Sequence, residues 1–251
     1  MVDQNPYYSS SSTRSAAEID EGLRAYMLTV YNYMASALAL TGLAAYITAN
    51  TQALYSLLYT FAQTPDGQVV LTGMTGLGYV AMFAPLGLVL FLGFGINRMK
   101  ASTAQMVFWI YSALVGVSLA SILFQYTGVS IAKTFFVTAA AFGGLSLYGY
   151  TTKKNLSGMG SFLIMGLFGL IIASIVQMYM QSSLMEFIIS VVGVLIFAGL
   201  TAYDTQKIKL MYLQGEHSET ATKKAIMGAL SLYLDFINMF LFLLRFMGNR
   251  E

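Results

Sequence analysis

The stretch Ala225–Met247, AIMGALSLYLDFINMFLFLLRFM, decides how the rest of this 251-residue chain is read. It is long enough to cross a bilayer, which takes about 20 apolar residues, yet it carries Asp235 near its middle. By helical rise Asp235 lies roughly 15 Å beyond Lys224, the last charge before the segment, and so near the midplane of a hydrocarbon core about 30 Å thick. A carboxylate at that depth is costly unless it faces a polar interior, which makes it a functional candidate. Asp235, Asn238, Phe242 and Arg245 share one helix face at spacings of three and four, while Leu232, Phe236, Met239, Phe240 and Leu243 cover the remainder. A helix that is apolar nearly all round, with one polar stripe, belongs inside a bundle, with Asn238 as the supporting polar group beside Asp235.

A second carboxylate, Asp204, ends the apolar run FIISVVGVLIFAGLTAYD over 187–204. If that helix continues to about Leu213, Asp204 lies roughly 13 Å below its end, a depth similar to that of Asp235, and the two acids can meet. Two carboxylates in one low-dielectric site cannot both ionise at low cost, so the pair is expected to share a proton and titrate as a unit. The purely structural alternative is an internal staple, Asp204 with Lys207 and Asp235 with Asn238 or Arg98, that fixes helix register.

The composition explains why two acids stand out. Only 10% of the chain is charged, against roughly 25% for soluble domains, and 57% is hydrophobic before its 23 glycines are counted. Residues 25–65, 67–97 and 155–185 contain no Asp, Glu, Lys or Arg, and such runs exceed the ~18 residues that mark a spanning helix. The expected class is an all-α polytopic membrane protein. A net charge of +2 leaves no electrostatic footprint for nucleic acid. The absence of cysteine excludes disulfides, thiolate metal sites and a cysteine nucleophile, and no cofactor is expected. The 16 methionines are scattered and read as packing rather than a copper site. His217, the single histidine, reads as a solvated loop residue rather than a proton sensor. Tyr148, Tyr150, Tyr203, Tyr212 and Tyr233 read as markers of the membrane interface.

Residues 1–24, polar with a serine run and mixed charges, read as a disordered cytoplasmic tail ahead of a seven-helix domain over 25–248. The first apolar run is too long for the core of a signal peptide. Helices are expected at about Ala25–Ala49, Thr75–Asn97, Thr103–Tyr126, Ile131–Tyr150, Ser161–Met180, from Ser183 through Asp204, and at Ala225–Met247. Residues 50–67 read as a loop with a short amphiphilic stretch at the interface, closed by a Pro65-Asp66-Gly67 turn. Pro85 is expected to interrupt and kink the second helix, and Ser112, Gly116 and Ala120 form a small-residue stripe suited to close packing.

Basic residues alternate between loops. Arg14, Arg24, Arg98, Lys100, Lys153, Lys154, Lys207, Lys209, Lys223 and Lys224 fall on one side of a seven-span topology, and only Lys133 on the loops opposite. The N-terminus is therefore expected inside and the C-terminus outside. Arg245 and Arg250 leave a re-entrant last segment as the alternative.

Three runs carry a family resemblance: GYTTKKNLSGMGSFLIMGLFGLIIASIV from Gly149, GLTAYDTQKIK from Gly199 and LSLYLDFINMFLFLLRFMG from Leu230. They resemble the Bax inhibitor-1 family of transmembrane Bax inhibitor motif proteins, its bacterial inner-membrane branch above all, over about residues 20–248. The resemblance implies seven helices in which two three-helix layers wrap a central seventh. It also implies a pH-sensitive calcium leak that opens on acidification, governed by a hydrogen-bonded aspartate pair matching Asp204 in YDTQ and Asp235 in LDFIN. In some members an arginine at the cytoplasmic end of helix two latches onto the pair; in GINRMKA either Arg98 or Asn97 stands there. No acid lies within helix two, and Asn155 stands where an aspartate is frequent, so accessory charges do not carry over. The implied setting is the bacterial inner membrane, with calcium, protons and the bilayer as partners.

A tight calcium site takes six to eight oxygens, so Asp204 and Asp235 are expected to touch the ion only in passing. Two other classes compete. An intramembrane aspartyl protease also uses two acids that share a proton. Here the second acid sits in SLYLDF rather than a GxGD motif, and no proline-alanine-leucine motif follows, so an enzyme is not expected. The other class is a non-conducting regulator, since the bacterial relatives resemble proteins that bind and restrain a membrane-anchored ATP-dependent protease.

Overall fold

Hydrocarbon offers the backbone no hydrogen-bond partners, so each crossing must satisfy its own N–H and C=O groups, and these apolar runs become helices. The computed structural model describes residues 6–64, 67 and 69–249, with side chains from Asp20 onward, Val69 excepted. In order these form α1 (Pro6–Asn50), α2 (Gln52–Leu58), a hairpin of β1 (Tyr59–Gln63) and β2 (Val69–Met74), α3 (Gly76–Gly95), α4 (Ala101–Leu119), α5 (Gly128–Thr151), α6 (Ser157–Met180), α7 (Ser183–Leu210) and α8 (Ser218–Met247). Seven of the helices, all but α2, are long and apolar enough to cross a membrane.

The layers are those expected. α1 and α3 pack on α4; α5 and α6 pack on α7; α8 lies between the layers and touches α7, α1, α5 and α4. Half of the α8 spanning window is buried, against 11% for α6 at the periphery. The small-residue stripe, on α4 and the residue that follows it, serves as expected. Ser112, Gly116 and Ala120 are buried, and a Cβ on Gly116 would collide with the Thr41 carbonyl oxygen of α1.

One end of the bundle gathers the 96–100, 152–156 and 211–217 loops. There the Ala101 N–H donates to Glu219 Oε1 at 3.3 Å, joining the starts of α4 and α8. The other end carries the hairpin and the end of α8, where the Asn249 N–H donates to Ser130 Oγ at 2.8 Å and the Thr127 N–H to the Asn249 carbonyl at 3.2 Å. α8 is thus one continuous spanning helix, and the re-entrant alternative is set aside.

Three local expectations are corrected. Residues 52–63 are not loop: Gln52–Leu58 is helical, and Tyr59–Gln63 pairs antiparallel with Val69–Met74. This strand pair stands on a satellite core of Ala49, Leu58, Tyr59 and Ala120, where Tyr55, Phe61 and Phe124 meet edge to face. Pro65 and Asp66 of the expected turn lie outside the described residues, whereas Gly67 adopts φ +82, a left-handed conformation that glycine reaches without strain. α3 runs without interruption through Pro85, which lacks the N–H that would bond the Ala81 carbonyl. α4 stops at Leu119 and tightens into a 3-10 turn over Ala120–Phe124. Of the expected tail, residues 1–5 lie outside the described residues, and from Pro6 the backbone belongs to α1.

Candidate functional site

α7 and α8 run antiparallel in a register that places Ile208 beside Gly228 and Phe242 beside Gly193. α7 ends at Leu210 rather than about Leu213, because the Met211 N–H turns back to the Lys207 and Ile208 carbonyls, both at 3.1 Å, and the chain then reverses through Gly215 at φ +77. The two acids are consequently not level. Asp204 stands opposite about Leu232, and Asp235 lies about one turn, roughly 5 Å, deeper. Asp235 nevertheless lies near enough to Asp204 to feel its charge, as Asp204 does that of Lys207.

Asp235 is 4% exposed, and its Oδ2 is buried with no hydrogen-bond partner among the described residues. An ionised carboxylate oxygen is not left bare in such a place; it is neutralised by a proton or satisfied by an ion or water. Asp204 is half-buried at the start of the last two turns of α7. Together they form a buried, acceptor-rich point on the most enclosed helix of the molecule.

The other expected site residues are placed elsewhere. Asn238 shares the Asp235 face but donates from its amide to the Leu234 carbonyl at 2.8 Å, so one of its two amide hydrogens is used within its own helix. Lys207 Nζ lies 5.9 Å from the Tyr203 ring centroid and makes no ion pair with Asp204. Arg98, in the 3-10 turn Ile96–Arg98, is exposed and forms no ion pair or hydrogen bond among the described residues; Asn97 is exposed as well. This conformation brings neither to the aspartates.

Several residues of the site were not singled out by sequence reasoning. The Tyr31 hydroxyl lies 2.6 Å from Ser146 Oγ, which lies 2.9 Å from Thr205 Oγ1, so a hydroxyl chain joins α1, α5 and α7 next to Asp204. Gln206 accepts from the Leu156 N–H and donates to the Lys154 carbonyl, both at 2.8 Å, and so clamps the 152–156 loop to α7. Tyr203 packs its ring over Gly160, where a Cβ would collide with it. Each residue of the YDTQ run thus addresses a different neighbour. Tyr233 is no interface marker, as it is fully buried. Its hydroxyl lies 2.7 Å from Thr41 Oγ1, which donates to the Ser112 carbonyl at 2.8 Å. Two residues on a helix point about 200° apart, so α8 turns Tyr233 to the α1–α4 layer and Asp235 to the α7 side.

Among the described residues no three Asp, Glu or His side chains converge as a metal site would require. Fold and site define a seven-span, all-α membrane protein with an acidic pair at its central helix. The family described as Inhibitor of apoptosis-promoting Bax1 matches residues 23–251, and the chain belongs to this Bax inhibitor-1 family. It is 48% identical over its full length to an uncharacterized protein of Rickettsia prowazekii, and the whole of that relative is covered. It is 46% identical over 232 residues to the Inner membrane protein YbhL of Escherichia coli, spanning 92% of this chain and 94% of the relative. A protein of Borreliella burgdorferi is 41% identical over 228 residues, covering 90% of this chain and 92% of the relative.

Proposed function

We propose that the chain is a pH-sensitive calcium leak of the bacterial inner membrane, gated by a proton shared between Asp204 and Asp235, with its N-terminus in the cytoplasm. The observation that carries this reading is Asp235 Oδ2, buried and unpartnered on the central helix within reach of a second acid. With a proton between them the pair is neutralised enough to sit in a closed core. A further proton removes the pair's remaining charge and loosens the site around α8, and a cation moving through meets two carboxyl groups but no cage, so it passes rather than stays. The inner-membrane setting rests on family membership and on the name of the Escherichia coli relative.

The test is calcium entry into dye-loaded vesicles carrying the purified protein, measured across a pH series. Flux that rises on acidification and loses most of its pH dependence in Asp204→Asn or Asp235→Asn supports the leak. Vesicles that admit no calcium at any pH overturn it and leave the non-conducting protease regulator as the better reading.

A further inference from the structure

α1 and α5 belong to opposite layers, and no extended contact closes the seam between them. Three cavities follow one another along it. The first, about 510 Å³, is lined by Arg24, Met27, Tyr31, Met34, Ser146 and Tyr150 among others. The second, about 630 Å³, shares Met34, Ala35 and Phe142 with the first. The third, about 240 Å³, shares Leu38, Gly42, Phe135 and Phe236 with the second and reaches Tyr46. From Arg24 to Tyr46 the helical rise is about 33 Å, close to the thickness of a hydrocarbon core. The seam is therefore a groove through the depth of the membrane, with Phe236 of the central helix in its floor.

Its walls are kept open by missing side chains. A Cβ on Gly42 or on Gly143 would meet nothing within 4 Å, so any larger residue at either position would project into free space. At this depth the surrounding solvent is hydrocarbon, and an unfilled slot forfeits dispersion contacts along its whole lining. Arg24 marks one end: it is exposed and forms no ion pair among the described residues, although Asp20 and Glu21 precede it on α1. About two turns deeper, the Tyr31 and Ser146 hydroxyls lie 2.6 Å apart beside the groove. The sequence is a cation, then a hydroxyl pair, then a long apolar slot, which matches the phosphate, ester and acyl regions of a lipid in that order.

We propose that this groove holds one acyl chain of an anionic phospholipid from the leaflet on the Arg24 side, with Arg24 on the headgroup. The test uses the full chain in vesicles of equal parts phosphatidylglycerol and phosphatidylethanolamine, gently re-extracted and analysed by native mass spectrometry. One lipid per chain is expected, with phosphatidylglycerol enriched. Arg24→Gln should keep a bound lipid but lower that enrichment about fivefold, the weight of one basic side chain at a charged surface. The double variant Gly42→Leu, Gly143→Leu should lose the bound lipid of either headgroup while its circular dichroism stays unchanged and its unfolding midpoint in detergent does not fall. Gly143→Phe alone gives the same readout if the double variant does not fold. Lipid retained in bulk proportion by the unsubstituted chain, or retained undiminished by a folded groove-filling variant, overturns the assignment.

Discussion

Asp235 is held by what surrounds it rather than by a partner of its own. A neutral hydrogen-bonding isostere fits the same space, so Asp204→Asn and Asp235→Asn should fold. In the vesicle assay the double variant should flatten the pH response no further than either single variant, because residues acting as one unit are not additive. Responses that add would show two independently titrating acids and remove the shared proton. Arg98 is exposed and unpaired among the described residues, so Arg98→Ala should leave the half-point of the pH response where it is; a clear displacement would show that a latched conformation is populated. Tyr233→Phe removes a hydroxyl 2.7 Å from Thr41, and loss of one such bond between membrane helices should lower stability by about 0.6 kcal/mol. That loss is read by equilibrium unfolding in mixed micelles.

Helix pairs here meet through glycine, and the cost of a methyl group depends on what faces it. A Cβ on Gly149 would collide with the Ala202 backbone, at the α5–α7 contact next to the acidic pair, whereas on Gly143 it meets nothing. Gly149→Ala should destabilise by about 1–3 kcal/mol, since backbone cannot rotate aside. Gly143→Ala, on the same helix, should be neutral or stabilising by up to about 1 kcal/mol through helix propensity alone. Thermal unfolding in detergent distinguishes the two, and equal effects would contradict the packing described. The Gln206 clamp is a second element-scale test. Gln206→Leu leaves the Leu156 N–H and the Lys154 carbonyl without their side-chain partner, and the 152–156 loop should then be cut faster by added protease while α7 remains folded.

The whole molecule has two unlike ends, and a chain without cysteine lets each be probed by a single introduced thiol. Cysteines at Lys154 and Ser218 should resist an impermeant thiol reagent in intact cells, and cysteines at Gln63 and Asn249 should react. The structure already places Asn249 at the hairpin end, through its bonds to Ser130 and Thr127, so 63 and 249 must label alike whichever way the protein is inserted. Opposite labelling of Gln63 and Asn249 would contradict the fold, and labelling at Lys154 and Ser218 alone would invert the proposed orientation.

The number of spans and the two acids within them were legible in the sequence, because each rests on a local signal: long apolar runs, and a carboxylate where hydrocarbon forbids one. The layer arrangement came only from the family resemblance, since no local pattern says which helix packs on which. The hairpin at 59–74 was not legible, since YSLLYTF reads equally as an amphiphilic helix until Phe124 and Ala120 of a distant segment close over it. Nor did a shared helix face tell how Asn238 would use its amide, which went to the carbonyl one turn back. The roles of Thr205, Gln206, Tyr31 and Tyr233 were likewise hidden. Each depends on a partner 50 or more residues away, and periodicity along one helix reports which face is buried but not which atom of another helix will meet it. The register of α7 against α8, and with it the offset between Asp204 and Asp235, was decided by where the loop at Met211 turned and by the glycines that let the two helices close.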